Sequence, residues 1–134
     1  MKNDRRFFKL PYRIAHSVPF RRLSLAARVA FDELGLRYNG SNNGSIVMPC
    51  RYLADRMNLK KSQAAAALKE LVEAGLIDLT RPSAFTTKTR LAACYRFVHL
   101  RCDVSGKRGT WPKLESVKNS NIIYLERDHT ECLS

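Results

Sequence analysis

Lys60 and Lys61 stand side by side and run directly into Ser62 and Gln63, at the head of the stretch KKSQAAAALKELVEAGLI. Two ammonium groups beside a hydroxyl and a carboxamide can neutralise phosphates and hydrogen-bond polar edges. The same chemistry recurs at Arg51, and again at Arg81, Lys88 and Arg90, with Thr86 and Thr87 between them. It appears a third time near the start of the chain, at Arg5, Arg6 and Lys9. Catalytic groupings are not legible. Acidic residues are few and scattered, and no Ser/His/Asp or Cys/His constellation stands out. The glycine-bearing NGSNNGS follows a helix rather than a strand, the wrong context for a phosphate-binding loop. No catalytic residue and no cofactor are expected.

The four cysteines, Cys50, Cys94, Cys102 and Cys132, form no CxxC pair, and His16, His99 and His129 complete no zinc pattern with them. His129-x-x-Cys132 alone is too little for a metal site. Reduced structural thiols are the expectation.

Charge points to the partner. The 134 residues carry a net charge of +12. Residues 1–103 hold 19 basic and 8 acidic side chains, and the first 28 alone hold 8 and 1. Solubility alone does not explain so uneven a field, which would draw in a polyanion such as nucleic acid or an anionic membrane surface. Arg, Lys or Asp interrupts every apolar run before membrane-spanning length, and MKNDRRFFKLPYR lacks the apolar stretch of a secretory signal. A cytoplasmic location is expected, with no membrane partner.

These side chains need elements to position them. Pro11 and Pro19 break the basic, aromatic-rich start into short pieces. Ser24 is placed to cap a helix whose Ala27, Ala30, Phe31, Leu34 and Tyr38 share one apolar face, with Arg28 and Asp32 paired four apart on the other. NGSNNGS, residues 39–45, is a loop whose glycines and asparagines suit positive-φ turns. Ile46-Val47-Met48 predicts a short strand. A second helix follows Pro49, with Leu53, Ala54 and Met57 inward and Asn58 as a left-handed stop. The third helix buries Ala64, Ala67, Leu68 and Leu71 and ends at Gly75. Leu76–Thr80 and Leu91–Leu100 read as strands flanking a flexible basic tip, RPSAFTTKTR. In the second strand Tyr95, Phe97 and His99 alternate with Arg96 and Val98, Tyr95 and Phe97 facing the core.

Four stretches together resemble winged helix-turn-helix proteins of bacterial regulators, especially a small phage- and plasmid-associated group: LPYRIAHSVPFRRLSLAAR, LRYNGSNNGSIVMP, RYLADRMNLKKSQAAAALKELVEAGLI and YRFVHLRCD. They cover most of residues 10–103. LKELVEAGLI is also similar to the wider MarR-like and GntR-like winged helices. The resemblance implies an α+β fold: a winged helix-turn-helix domain, three-helix core plus β-hairpin wing, over 23–103. A basic N-terminal arm would occupy 1–22, and a C-terminal extension 104–134. It also implies a double-stranded DNA-binding protein, not an enzyme.

Carried over by position, the resemblance puts groove contacts on Lys61, Ser62, Gln63, Ala65, Ala66 and Lys69. This helix departs from its relatives in opening on Lys60, which cannot accept a hydrogen bond from the first-turn amides. It also has Ala65 and Ala66 where Ser and Arg are frequent, so no bidentate arginine–guanine contact comes from that turn. Lys60 and Lys61 suit phosphates. Gln63 has two readings, an adenine reader or a phosphate-facing side chain, and the alanine methyls either meet thymine methyls or simply favour helix. Arg51 suits a phosphate near the start of helix two. Arg81, Thr86, Thr87, Lys88 and Arg90 suit phosphates or a minor groove, and Arg5, Arg6 and Lys9 either enter an adjacent groove or form a solvated tail. A homodimer on a palindromic site would double a limited reading. The segment around Trp111 and Ile122-Ile123-Tyr124 either pairs the subunits or docks on its own core. The leading job is a small transcriptional regulator of a mobile element. The alternatives are a replication-initiation or recombination accessory protein and a protein-interaction or RNA-binding module. No small-molecule effector is evident.

Overall fold

The computed structural model describes residues 6–86 and 88–112. Two proline-initiated single turns, α1 (Tyr12–Ala15) and α2 (Val18–Arg21), come first. Each has an extended residue at its N-cap and a bend after one turn, so Pro11 and Pro19 cut this segment short as the sequence predicts. Both turns are anchored, with Ile14 and Phe20 buried in the core.

Helix α3 (Leu25–Arg37) starts where Ser24 Oγ accepts a hydrogen bond from the Ala27 N–H at 3.2 Å. Ala27, Ala30, Phe31 and Leu34 are buried as the helical period predicts, and Gly35 with them. The helix ends before Tyr38, which is extended and half-buried, with its ring 6.0 Å from that of Phe97. The expected Arg28–Asp32 pair is not the one made. Arg28 turns back to donate to the Arg21 carbonyl at 2.8 Å and lies over the Phe20 ring, a backbone acceptor and an aromatic face being worth more here than an exposed carboxylate.

Helix α4 (Cys50–Met57) and helix α5 (Lys61–Glu73) form a tight pair. Asn58 takes the left-handed conformation (φ 56°), and the Leu59 N–H returns to the Ala54 carbonyl at 3.0 Å. At the end of α5, Gly75 (φ 77°) repeats the device, with the Leu76 N–H on the Leu71 carbonyl at 3.2 Å. Both are Schellman ends, and both need a residue that tolerates positive φ. Arg56 joins α4 to α3 through Glu33 at 2.9 Å.

The chain then builds an antiparallel sheet in the order β1–β5–β2, from β1 (Ile46–Val47), β2 (Ile77–Arg81) and β5 (Cys94–Phe97). Ile77 faces Phe97, and Leu79 faces Tyr95, while a bulge between Leu79 and Arg81 shifts the register. Strands β3 (Ala84–Phe85) and β4 (Arg90–Leu91) make a separate two-stranded ladder. In place of the predicted strand Leu91–Leu100 the chain has β4, a break at Ala92–Ala93, β5 and a turn over residues 98–100. The hairpin expected to be flexible is paired through β3 and β4.

A further difference concerns β5. Cys94, Tyr95, Arg96 and Phe97 are all buried, where alternation predicts one wet face. Gly44 and Ser45 of the loop 39–45 line the outer face together with Cys102, Val104 and Ser105 of the segment after β5, and Asn43 ties loop and segment together. The Asn43 amide nitrogen donates to the carbonyls of Phe97, Leu100 and Arg101 at 2.9–3.3 Å, and its oxygen accepts from the Phe97 N–H at 2.6 Å. The Thr80 hydroxyl adds a bond to the Gly44 carbonyl at 2.6 Å. Gly40 and Gly44 have positive φ, but the loop asparagines do not. They hold the loop with side-chain amides instead: the Asn42 oxygen accepts from the Asn39 N–H at 2.9 Å.

Phe31 sits at the centre of the core, with the rings of Phe8, Phe20 and Phe97 at 5.9, 5.6 and 5.1 Å. Phe8 reaches it over Gly35, where any Cβ would overlap the Phe8 ring.

Candidate nucleic-acid interface

The inward face of α5 is built from Ala64, Ala67, Leu68 and Leu71, each at most 2% exposed. Lys60, Lys61, Ser62, Gln63, Ala65, Ala66 and Lys69 are therefore exposed together, as the sequence predicts. They do not all look the same way. Gln63 and Ala66 line a groove of about 510 Å³ toward the start of α3, with Leu25, Val29, Met57 and Leu59. Ser62, Ala65 and Lys69, at i, i+3 and i+7, form the outermost ridge. Lys69 has only a loose 4.0 Å contact with Glu73, both ends being well exposed.

Gln63 has a local task. Its Oε1 accepts from the Lys60 backbone N–H at 2.9 Å, reaching back from the third helical position. Lys60 has no acceptor to return the favour, so the first turn is half capped. A bidentate adenine contact needs both ends of the carboxamide, and this bond takes one acceptor site of the oxygen and turns it toward the helix end.

Glu70, which the sequence reading passed over, fixes the angle of α5 against α3. Its carboxylate accepts from the Ser24 N–H at 2.7 Å and from the Ser24 hydroxyl at 2.8 Å. It places a negative charge at the amino end of α3, where the helix dipole favours it.

The hairpin supplies a second exposed basic surface. Arg81, Thr86, Lys88 and Arg90 are all exposed. One Arg81 nitrogen donates to the Ala92 carbonyl at 2.9 Å, bracing the hairpin base. The Thr86 hydroxyl lies 2.8 Å from that of Thr89, and the Thr86 N–H donates to the Thr89 carbonyl at 2.9 Å. Thr86 thus closes the turn. Thr87 lies outside the described residues. Arg90 stacks over Phe85, its guanidinium carbon 5.4 Å from the ring centroid. Phe85 is 74% exposed and formed no part of the sequence reading; its only signal was an aromatic inside a run otherwise polar and basic.

Arg51 is exposed in the first turn of α4. Arg6 and Lys9 are exposed as well, on a segment held down by Phe8. Arg6 lines a shallow pocket with Phe7, Gly35, Leu36 and Tyr38 at the carboxyl end of α3, and Lys9 lies over the Phe7 ring. The stretch from residue 6 is therefore not a wholly solvated tail. Arg5 lies outside the described residues.

Trp111 docks on its own chain. Its ring is 5.2 Å from that of His99 and 5.7 Å from the Arg13 guanidinium, and the Thr110 N–H donates to the Val98 carbonyl at 2.7 Å. Arg13 closes the contact through the Pro112 carbonyl at 3.2 Å. His99 is buried, and desolvation lowers its pKa to about 4. Ile122-Ile123-Tyr124 lies outside the described residues.

Among the described residues no group of His, Cys, Asp and Glu could hold a metal ion, and Cys50, Cys94 and Cys102 are free thiols. No described helix is long and apolar enough to cross a membrane.

No protein-family model matches the chain, and no curated protein matches it. Two solved structures are similar in fold. One is described as the "N-Terminal domain of DNA binding protein", with a TM-score of 0.51, 17% identity, and coverage of 97% of this chain and 91% of that one. The other is described as "Structure of Rep-DNA complex", with a TM-score of 0.50, 15% identity, and coverage of 97% and 92%. At such identities the likeness is one of fold: a mixed α+β arrangement of helices with a small antiparallel sheet.

Proposed function

We propose that this chain is a double-stranded DNA-binding protein of the winged helix-turn-helix type. In this reading α4 and α5 are the helix-turn-helix pair, and β3–β4 is the wing. The observation that carries it is the hairpin. It stands apart from the main sheet and holds Lys88 and Arg90 in solvent, one strand after a helix whose exposed face opens on Lys60 and Lys61. Two cationic projections on one core match the helix-in-major-groove, wing-in-minor-groove mode of docking. The likeness to two DNA-binding structures supports the same partner.

Most of the affinity comes from phosphates: Lys60, Lys61 and Lys69 on α5, Arg51 on α4, and Arg81, Lys88 and Arg90 on the hairpin. Direct base reading by α5 is slight. The protein binds without catalysing, acts in the cytoplasm, and works as a homodimer on a paired site. Its job is either control of transcription on a mobile element or a replication or recombination task at repeated sites. The fold shared with a chain solved in a Rep–DNA complex weighs for the second.

Selection of bound sequences from random duplex DNA, followed by footprinting, tests the reading. A defined site, bound with an affinity that falls steeply with salt, is expected. Equal, salt-insensitive binding to all sequences, or none, would overturn it. A single operator indicates transcription control, and a phased array indicates the replication or recombination task.

A further inference from the structure

From Leu79 to Cys102 the chain carries five cations and no carboxylate. In the middle of that run a phenyl ring is left 74% exposed. Phe85 and Arg90 are directly paired residues of the hairpin ladder, so their side chains share one face of the ribbon. The guanidinium lies over the ring at 5.4 Å. Beyond them the Thr86 N–H and hydroxyl bond to Thr89, closing the tip. The ring is thus carried at a braced end, next to a positive charge. The exposed ring leaves its apolar area available to a partner surface. The exposed cations of the hairpin, Arg81, Lys88 and Arg90, argue that the partner is polyanionic, and the bare ring that it offers flat apolar surface. DNA meets both terms, through its phosphates and its base-pair faces.

Resting on the DNA-binding reading above, we infer that Phe85 is an aromatic wedge. It enters the minor groove at the hairpin tip and partly unstacks a pyrimidine–purine step, while Arg90 holds a flanking phosphate. Apolar side chains inserted this way kink the duplex. TA and CA/TG steps unstack at least cost, so such a wedge favours sequences that place one of them under the hairpin. This provides selectivity that α5 lacks. Ala65 and Ala66 offer no hydrogen bond, and the Gln63 oxygen is engaged with Lys60.

The test uses the full chain and its selected duplex, with 2-aminopurine at the footprinted step under the hairpin and a fluorophore pair at the duplex ends. The wild-type protein is expected to raise 2-aminopurine emission and bring the ends closer. Phe85→Ala should abolish both signals and weaken binding roughly tenfold. Its plot of log affinity against log salt should keep the wild-type slope, because no charge is lost. Phe85→Trp should retain both signals, and Arg90→Ala should reduce the slope by about one. Phe85 lies outside the core, so thermal melting of Phe85→Ala should match wild type. A wild-type complex with straight, stacked DNA overturns the wedge. So does a Phe85→Ala complex that keeps the bend and the emission, even with weaker affinity. Failure of wild-type protein to bind any duplex is the different result that removes the DNA reading itself.

Discussion

Glu70, in the last turn of α5, accepts two hydrogen bonds from Ser24, at 2.7 Å from its N–H and 2.8 Å from its hydroxyl. Ser24 in turn accepts from the Ala27 N–H at 3.2 Å. One carboxylate therefore completes the cap of α3 and locks α5 to it. Glu70→Ala should lower stability by about 1–2 kcal/mol, read as a shift in the urea midpoint at constant slope. Glu70→Gln keeps an acceptor oxygen and should lose less. If both variants unfold at the wild-type midpoint, the contact does not brace the pair.

Asn43 should be the costlier loss. Its buried amide meets three carbonyls and one N–H of the segment 97–101. Removing it leaves those groups without partners and unties the loop 39–45 from that segment. Asn43→Ala is expected to destabilise by about 3 kcal/mol or more, and Asn43→Asp, which lacks the donors, by a comparable amount. Chemical denaturation of both variants checks this. A change within about 0.5 kcal/mol, ordinary for a surface site, would refute the role assigned to the loop.

Burial of His99 ties stability to pH. Its pKa in the fold is about 4, below the ordinary 6.5, because desolvation disfavours the imidazolium. Between those values the unfolded chain binds the extra proton, so stability rises with pH there. The contribution is complete above about pH 6.5 and is lost as pH falls toward 4, up to about 3 kcal/mol. Thermal melts from pH 7 to 4 should show the wild-type decline, and His99→Gln should flatten it. Parallel profiles for the two proteins would mean that His99 does not set the slope.

On DNA, Lys61 and Gln63 should separate cleanly. Lys61→Ala is expected to weaken binding to all sequences alike and reduce the salt slope by about 0.9. Gln63→Ala should leave sequence preference intact and cost under about 1 kcal/mol of helix stability, since its oxygen caps Lys60. A changed preference in the selected sequences would instead make Gln63 a reader.

Features that depend on neighbours in the chain were legible in the sequence. The inward face of α5 follows from spacing alone, and the stops at Asn58 and Gly75 follow from which residues tolerate positive φ. The cap at Ser24 was visible as a residue type, but its second partner, Glu70, is 46 positions away. Asn43 was equally hidden, because its partners begin 54 positions further on. Alternation failed at β5 because irregular segments outside the strand, with Gly44 and Ser45 on one and Cys102, Val104 and Ser105 on the other, line its outer face. At Gln63 composition showed a side chain suited to bases, whereas geometry gives its oxygen to the helix end. Phe85 escaped because an exposed phenylalanine carries no periodic signal.

Gly35 and Phe8 have a practical consequence for anyone shortening or tagging this protein. Phe8 occupies the space a side chain at position 35 would take, and its ring also touches Phe31 and Phe97. Trimming as far as Phe7 removes a mostly solvent-facing ring, but one residue more opens a hollow into the aromatic centre. The workable boundary for a protease site or fusion joint therefore falls between two adjacent phenylalanines, identical in letter and opposite in duty.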